Sequence, residues 1–502
     1  MNTLWIVVLA AVVIYAAYNF YARSIDRNII KADAKKATPA KMYMDGVDFM
    51  PTSRNVLYGY HFKSIAAAGP IVGPITAANI WGWAPALAWL LIGVSFIGWV
   101  SDYSAIMVAV RNDGNSLSAV SHKLISPRTR PILFTFIFFY LMLVAGAFMG
   151  IMAALMAARA DVPLGIIMLG VMGLLAGQML YKWKMDLIVV TVITVGVTLL
   201  AIMFGPFRAV NAEGKLDLTQ GPISKAVLAF NGAINSINGN QAVMSVTDPT
   251  NADPRIPAPD AEGKRATTAV YNADTGAIKT MPSYLFWALF LLVFSYLAAT
   301  LPIWRFAQPV NYIGFWITLL TIGFSAIGAV LAPFIKPEIG KFALDAVKPL
   351  TWGAVAGKTW QPLWPMLFVT IACGSISGWH ALIGSIGTAR QLEYETDGLP
   401  VGGGAMFTEN TLALLALVAV SIVGTGGGAG RFAAGVGNLL SVVFGSGFLT
   451  FGTALGFGAF MVIVLTVTQL VFRVMRVTLS EWAGDVMPVL KNMHVSTIVS
   501  MV

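Results

Sequence analysis

Three ionisable side chains, His61, Asp102 and His380, fall in stretches that are otherwise apolar. A titratable group inside a membrane-crossing helix is costly and marks a functional site by default. Two imidazoles and a carboxylate suit a proton relay, because histidine titrates near neutrality and a carboxylate tunes it. The same three residues could instead hold a divalent metal such as zinc or iron. Separate polar packing, each group bonded to backbone or water, is the third reading.

Other candidates lie at interruptions. Gly69, Pro70, Gly73, Pro74 and Thr76 fall in one run, Leu301 to Pro309 (with Gln308) in a second, and Cys373 to His380 (with Ser375, Ser377 and Gly378) in a third. Pro and Gly inside a span free backbone groups that lipid cannot satisfy, and secondary transporters bind substrate and ions at such breaks. The hydroxyls of Thr76, Ser375 and Ser377 would serve a cation or polar substrate there. Helix packing alone explains any single break equally well. Gln308 and Asn311 could contact substrate. Glu409 and Asn410 read as a wet helix start, and Trp81, Trp83, Trp304 and Trp379 chiefly as interfacial anchors.

The elements that position these residues follow from composition. Of 502 residues, 57% are hydrophobic and 11% charged, with mean hydropathy +0.76. Soluble domains carry about 25% charged residues, so a water-soluble enzyme and a disordered chain are both excluded. One cysteine excludes a disulfide framework. Stretches of roughly 20 apolar residues fall at 3–22, 56–79, 84–110, 132–158, 163–181, 186–206, 283–303, 310–334, 364–388, 405–424 and 448–472. The first reads as a retained anchor helix rather than a signal peptide. Segment 425–447 is apolar but entered through a glycine run, and reads as re-entrant or interfacial.

The net charge of +9 would suggest a nucleic-acid partner in a soluble protein. Here fourteen of the 32 basic residues fall in 22–63, 111–131 and 182–185. Those three regions share one side, which the positive-inside rule makes cytoplasmic, so no nucleic acid is implied. The N-terminus is then outside and the C-terminus inside. Lys336, Lys341, Lys348 and Lys358 oppose this mildly, lying outside. On that topology His61 lies about 8 Å, and Asp102 and His380 about 12 Å, from the inner ends of their helices.

The domain reading is an anchor helix (1–22), a cytoplasmic basic segment (23–55), a first five-helix repeat (56–206), an external polar loop (207–282), a second five-helix repeat (283–472) and a cytoplasmic tail (473–502). The loop is expected to be turn-rich and partly mobile, with a small hairpin between Thr267–Val270 and Ala277–Thr280. The two repeats have opposite topology, and each leading helix is expected to be interrupted by proline. The fold class is therefore all-α, a polytopic membrane protein with an inverted five-plus-five arrangement after one extra helix.

Particular stretches also resemble the carbon starvation protein A (CstA) family of bacterial inner-membrane peptide transporters, whose relatives include a pyruvate:proton symporter. They are Thr38-Pro39-Ala40, Asp45 to Asp48, Pro51 to Arg54, Tyr58 to Phe62 leading into Ala68 to Pro74, Asp102, Pro362 to Phe368, Cys373 to His380, and Gly403 to Met406 with Glu409. The resemblance covers most of 20–475 and implies a LeuT-like fold of the amino acid–polyamine–organocation (APC) superfamily. It implies import of peptides or a small carboxylate across a bacterial cytoplasmic membrane. The chain is shorter than many members, and Glu395 to Pro400 departs from the family's more acidic stretch.

The expectation is a proton-coupled secondary transporter working by alternating access, with the lipid bilayer and a peptide or small carboxylate as partners. Apart from a coupling proton or a divalent metal, no cofactor is expected. A membrane-embedded metal-dependent hydrolase and a passive channel are the rivals; no His-Glu-x-x-His spacing supports the hydrolase.

Overall fold

The computed structural model describes residues 2–209, 211, 217–240, 244–247, 277–348, 362–484 and 486–502. Nine helices among these are long and apolar enough to cross a membrane: Thr3–Ile30, Trp83–Val110, Thr129–Ala158, Pro163–Lys182, Leu187–Phe204, Pro282–Thr300, Ala307–Ile335, Glu395–Val423 and Ser446–Ala483. The only sheet among the described residues is a two-stranded ribbon, so the chain is an all-helical, multi-pass membrane protein. The apolar stretch of 446–483 is wholly buried, and helices 129–158, 282–300, 307–335 and 428–444 pack around it.

The two other expected spans, 56–79 and 364–388, are helices in pieces. The first is Arg54–Ile65 followed by Gly69–Trp81, separated at Ala66 by extended backbone. Pro70 starts the second piece, where its missing N–H removes no helical bond. The second broken element is Leu363–Thr370, Ala372–Ser375 and Gly378–Ile383, the last continued by Gly384–Thr388. Extended backbone at Ile376 and Ser377 makes its second interruption.

The leading helix of the second half departs from expectation. Pro282–Thr300 is continuous, and Pro302 lies in the connection to Ala307–Ile335. Proline there ends a helix rather than interrupting one. The ninth of the expected spans is broken at its Cys373–His380 run, as expected, and it packs antiparallel on the first. Thr388 meets His61, Trp379 meets Ser64, Cys373 meets Gly69 and Thr370 meets Gly73.

Other boundaries also shift. The first helix runs to Ile30, and Leu449–Ala483 carries Arg473 and Arg476 within its length. Helix Gly428–Phe444 touches the rest at both its ends: Asn79 donates to Gly426 O (2.9 Å) and Lys336 to Ser441 O (3.2 Å). Asn79 and Lys336 sit at the C-terminal ends of their helices, so both ends of 428–444 lie at one end of the bundle.

Region 207–282 is not wholly turns. Helix Pro222–Ser236 docks on the bundle, with Asn231 accepting from Trp287 Nε1 (2.9 Å) and donating to Ala157 O (3.2 Å). Strand Ala277–Thr280 pairs antiparallel with Met244–Thr247. Residues 267–270 and the turn 271–276 of the expected hairpin lie outside the described residues, as does Lys358.

The opposite end of the bundle is tied by ion pairs: Arg111–Glu395 (3.0 Å), Lys41–Glu393 (3.5 Å), Arg390–Glu481 (3.2 Å), and Asp48 with Arg473 and Arg476 (3.3 Å to Arg476). Burial raises the Asp48 pKa, but Arg473, Arg476 and Arg390 outweigh it and hold the carboxyl below its ordinary value. A depressed carboxylate stabilises above its unfolded pKa of about 3.9, and that contribution is lost as pH falls through the folded value. Asp48→Asn is expected to destabilise the purified protein at pH 7 by on the order of 2–3 kcal/mol. In thermal melts the gap to the unaltered protein should close as pH drops below about 4. Identical melting at pH 7 would contradict the assignment.

Candidate functional site

A helix interrupted inside an apolar bundle exposes carbonyls and N–H groups that need partners. Here side chains supply several of them. Trp379 Nε1 donates to Ser64 O (2.8 Å), beside the first break. Asn410 Nδ2 donates to Gly374 O (2.7 Å) and Leu90 O (3.1 Å), tying 395–423 to the second break and to 83–110. Glycine permits the close approach. A methyl at Gly73 would lie 2.4 Å from Thr370 O, one at Gly98 2.3 Å from Ser375 O, and one at Gly69 2.4 Å from Cys373 Cβ.

The juncture holds a chain of buried ionisable groups. His380 Nδ1 lies 3.0 Å from Asp102 Oδ2 and 3.2 Å from Oδ1. On the other side of the ring, His380 Nε2 is 3.5 Å from Glu409 Oε1. That separation allows charge attraction but falls outside good hydrogen-bond geometry, and His380 Nε2 and Glu409 Oε2 have no hydrogen-bond partner. Cys373 Sγ lies 3.9 Å from Glu409 Oε1 and 3.8 Å from Ser377 Oγ. Asp102, His380 and Glu409 are fully buried. Carboxylate, imidazole and carboxylate thus form one line drawn from three helices.

Of the sequence candidates, Asp102 and His380 are brought into contact. His61 is buried beside them but directs Nδ1 to Thr388 Oγ1 at 2.7 Å, and its Nε2 is unpartnered. The metal set His61–Asp102–His380 is therefore not assembled. Among the described residues, Cys373, His380 and Glu409 are the three whose ligating atoms come within 4.8 Å of one another.

Gly69, Pro70 and Gly73 lie at the contact between the broken helices, while Pro74 is buried within the same piece and Thr76 half-buried farther along it. Ser375 Oγ reaches Trp89 O at 3.4 Å, and Ser377 faces Cys373; Gly378 starts the piece that carries His380. Gln308 lies elsewhere, donating to Thr52 Oγ1 (3.0 Å) and Gln391 Oε1 (2.7 Å) and accepting from Tyr181. Its amide closes the ion-paired end. Asn311 Nδ2 turns back to Ala307 O, and its Oδ1 is buried without a hydrogen-bond partner.

Three further readings change. Glu409 and Asn410 are buried in the interior rather than at a wet helix start. Trp81, Trp83 and Trp379 are buried too, and Trp379 serves the break instead of an interface. Lys63, counted among the basic residues of the flanking segment, is fully buried, with Nζ donating to Thr318 Oγ1 at 3.0 Å. Four apolar or uncharged residues on either side of Lys63 could have signalled this, since a lone lysine so flanked lies inside its span.

The family model "Carbon starvation protein CstA" matches residues 2–236 and 266–426, which include Asp102, His380 and Glu409. The peptide transporter CstA of Helicobacter pylori strain J99 is 29% identical over 437 residues, covering 85% of this chain and 52% of that protein. The pyruvate/proton symporter BtsT of Escherichia coli K12 is 30% identical over 428 residues, covering 85% and 50%. The peptide transporter CstA of the same organism is 29% identical over 430 residues, covering 85% and 51%. The chain spans about half the length of these curated relatives.

The glycine contact is testable apart from function. Because the atoms facing Gly73 are backbone, Gly73→Ala should force the broken helices apart and destabilise by about 1–3 kcal/mol. Thermal melting in detergent measures this, and an unchanged midpoint would refute the close packing.

Proposed function

The chain belongs to the carbon starvation CstA family, and from that premise we propose that it is a secondary transporter importing peptides across the bacterial cytoplasmic membrane. The observation that carries the reading is the line Asp102–His380–Glu409 at the contact of two antiparallel broken helices. Transporters bind substrate and coupling ions where discontinuous helices meet. Two carboxylates on opposite sides of one imidazole can pass a proton across the ring: a proton taken at Nε2 is matched by one released at Nδ1. His61 lies beside this line as a further proton acceptor. The names of the similar proteins support a transporter rather than an enzyme, and proton coupling draws on the symporter among them.

Alternating access would separate and re-form the broken pair. The reading retains an inverted, LeuT-like relation of two halves after one extra helix, from the order of the spans and the family resemblance. Of the expected breaks it keeps those in the first and the eighth of ten and drops the one in the sixth, which is continuous. The ion-paired end is assigned to the cytoplasm from its basic loops, which puts the N-terminus outside.

A second reading, a pyruvate or other small-carboxylate symporter, is favoured by the pyruvate/proton symporter among the similar proteins. The fully buried Lys63 amine stands just before the first break, and no ion pair to a carboxylate is seen for it among the described residues. A buried cation without a counter-charge is costly. Both substrate classes carry a carboxylate that would serve, and Lys63 is assigned that role.

Proteoliposomes with an alkaline lumen should take up labelled dipeptide or pyruvate; no uptake of either under any gradient would sink the proposal. Glu409→Gln should lower gradient-driven uptake by about tenfold, one decade per ~1.4 kcal/mol of lost coupling, while leaving substrate exchange at equal pH intact. Loss of both together would refute a specific coupling role. Lys63→Met should raise KM for a free-carboxylate substrate and leave an amidated dipeptide unaffected.

A further inference from the structure

We propose that Cys373, His380 and Glu409 form a binding site for a thiophilic divalent ion of the zinc type, with Asp102 orienting the imidazole. On a continuous helix Cys373 and His380, seven residues apart, would share a face but stand about 10 Å apart along the axis. The interruption at Ile376 and Ser377 folds that distance away and turns both side chains toward Glu409 on 395–423. Zinc bonds of about 2.0–2.3 Å in tetrahedral geometry place neighbouring donors roughly 3.3–3.8 Å apart. The separations here, 3.5 Å for His380 Nε2 to Glu409 Oε1 and 3.9 Å for Cys373 Sγ to Glu409 Oε1, are close to those edges.

Two further observations point to a ligand. His380 Nε2, which a metal would take, is buried and has no hydrogen-bond partner, and the second oxygen of the same carboxylate, Glu409 Oε2, is likewise buried and unpartnered. His380 Nδ1 is held by Asp102 at 3.0 Å, the carboxylate–histidine pairing that fixes the tautomer and orientation of a metal-binding imidazole. Sulfur and imidazole select a borderline ion over magnesium or calcium, which take oxygen donors. Three protein donors leave a fourth position for water or another small ligand. Cys373 is half-buried, which leaves the site an edge for entry. The inference concerns binding and does not rest on transport; an ion on Nε2 would occupy the atom that takes the proton there, so ion and proton are alternative occupants of one place.

The test uses the full chain purified in detergent, stripped with chelator and titrated with Co(II), followed by elemental analysis after loading with Zn(II). The expected result is one ion per chain and a near-ultraviolet sulfur-to-cobalt charge-transfer band. Cys373→Ser should abolish the band, and Asp102→Asn should keep it while weakening binding by about 10–100-fold. No saturable band in the unaltered protein overturns the site whatever the variants do. So does a band that survives Cys373→Ser.

Discussion

Everything at the centre of this molecule depends on one constraint: two helices are broken inside an apolar bundle, and the freed backbone groups need partners there. Lipid supplies none, so the breaks are stable only where protein covers them. Each broken helix supplies part of the other's cover. Trp379 from one satisfies Ser64 of the other, Asn410 satisfies Gly374, and Gly69, Gly73 and Gly98 let the backbones close to contact. The same interruption that creates the problem brings Cys373 and His380 to one point.

Charge is segregated to match. At one end of the bundle, ion pairs between the basic loops and Asp48, Glu393, Glu395 and Glu481 clamp segments far apart in sequence. In the interior, the ionisable groups are few and each is placed: Asp102, His380 and Glu409 in a line, His61 against Thr388, Lys63 against Thr318. A clamped end and a polar, glycine-packed centre suit the proposed cycle, in which helices would part and rejoin around a proton. The exposed flank of helix 3–30 and of 129–158 faces the opposite way, with side chains such as Phe20, Phe136 and Leu143 suited to lipid.

The number of helices was legible because twenty-residue apolar runs have few other uses, and in both truly broken spans Gly or Pro opens the piece after an interruption. Asp102 and His380 stood out because charge is so scarce within the spans. Other features were hidden. Glu409 sits close after a glycine-rich stretch, so its depth is set by tertiary packing and not by its neighbours. Lys63 was grouped with the basic loop because that loop runs directly into its helix. Pro302 resembled Pro70 in composition, yet one ends a helix and the other begins one, a difference fixed by where the flanking segments pack. Helix 222–236 lies in polar sequence and is held by Asn231 and Phe230 against the bundle.

The central claim is that substrate movement and proton movement share the Asp102–His380–Glu409 line. It is tested most directly by trapping a pH-sensitive dye inside proteoliposomes, clamping the membrane potential at zero, and adding dipeptide outside. The account predicts luminal acidification that accompanies substrate entry and that Glu409→Gln abolishes. Substrate entry into liposomes of the unaltered protein with no change in luminal pH would contradict it.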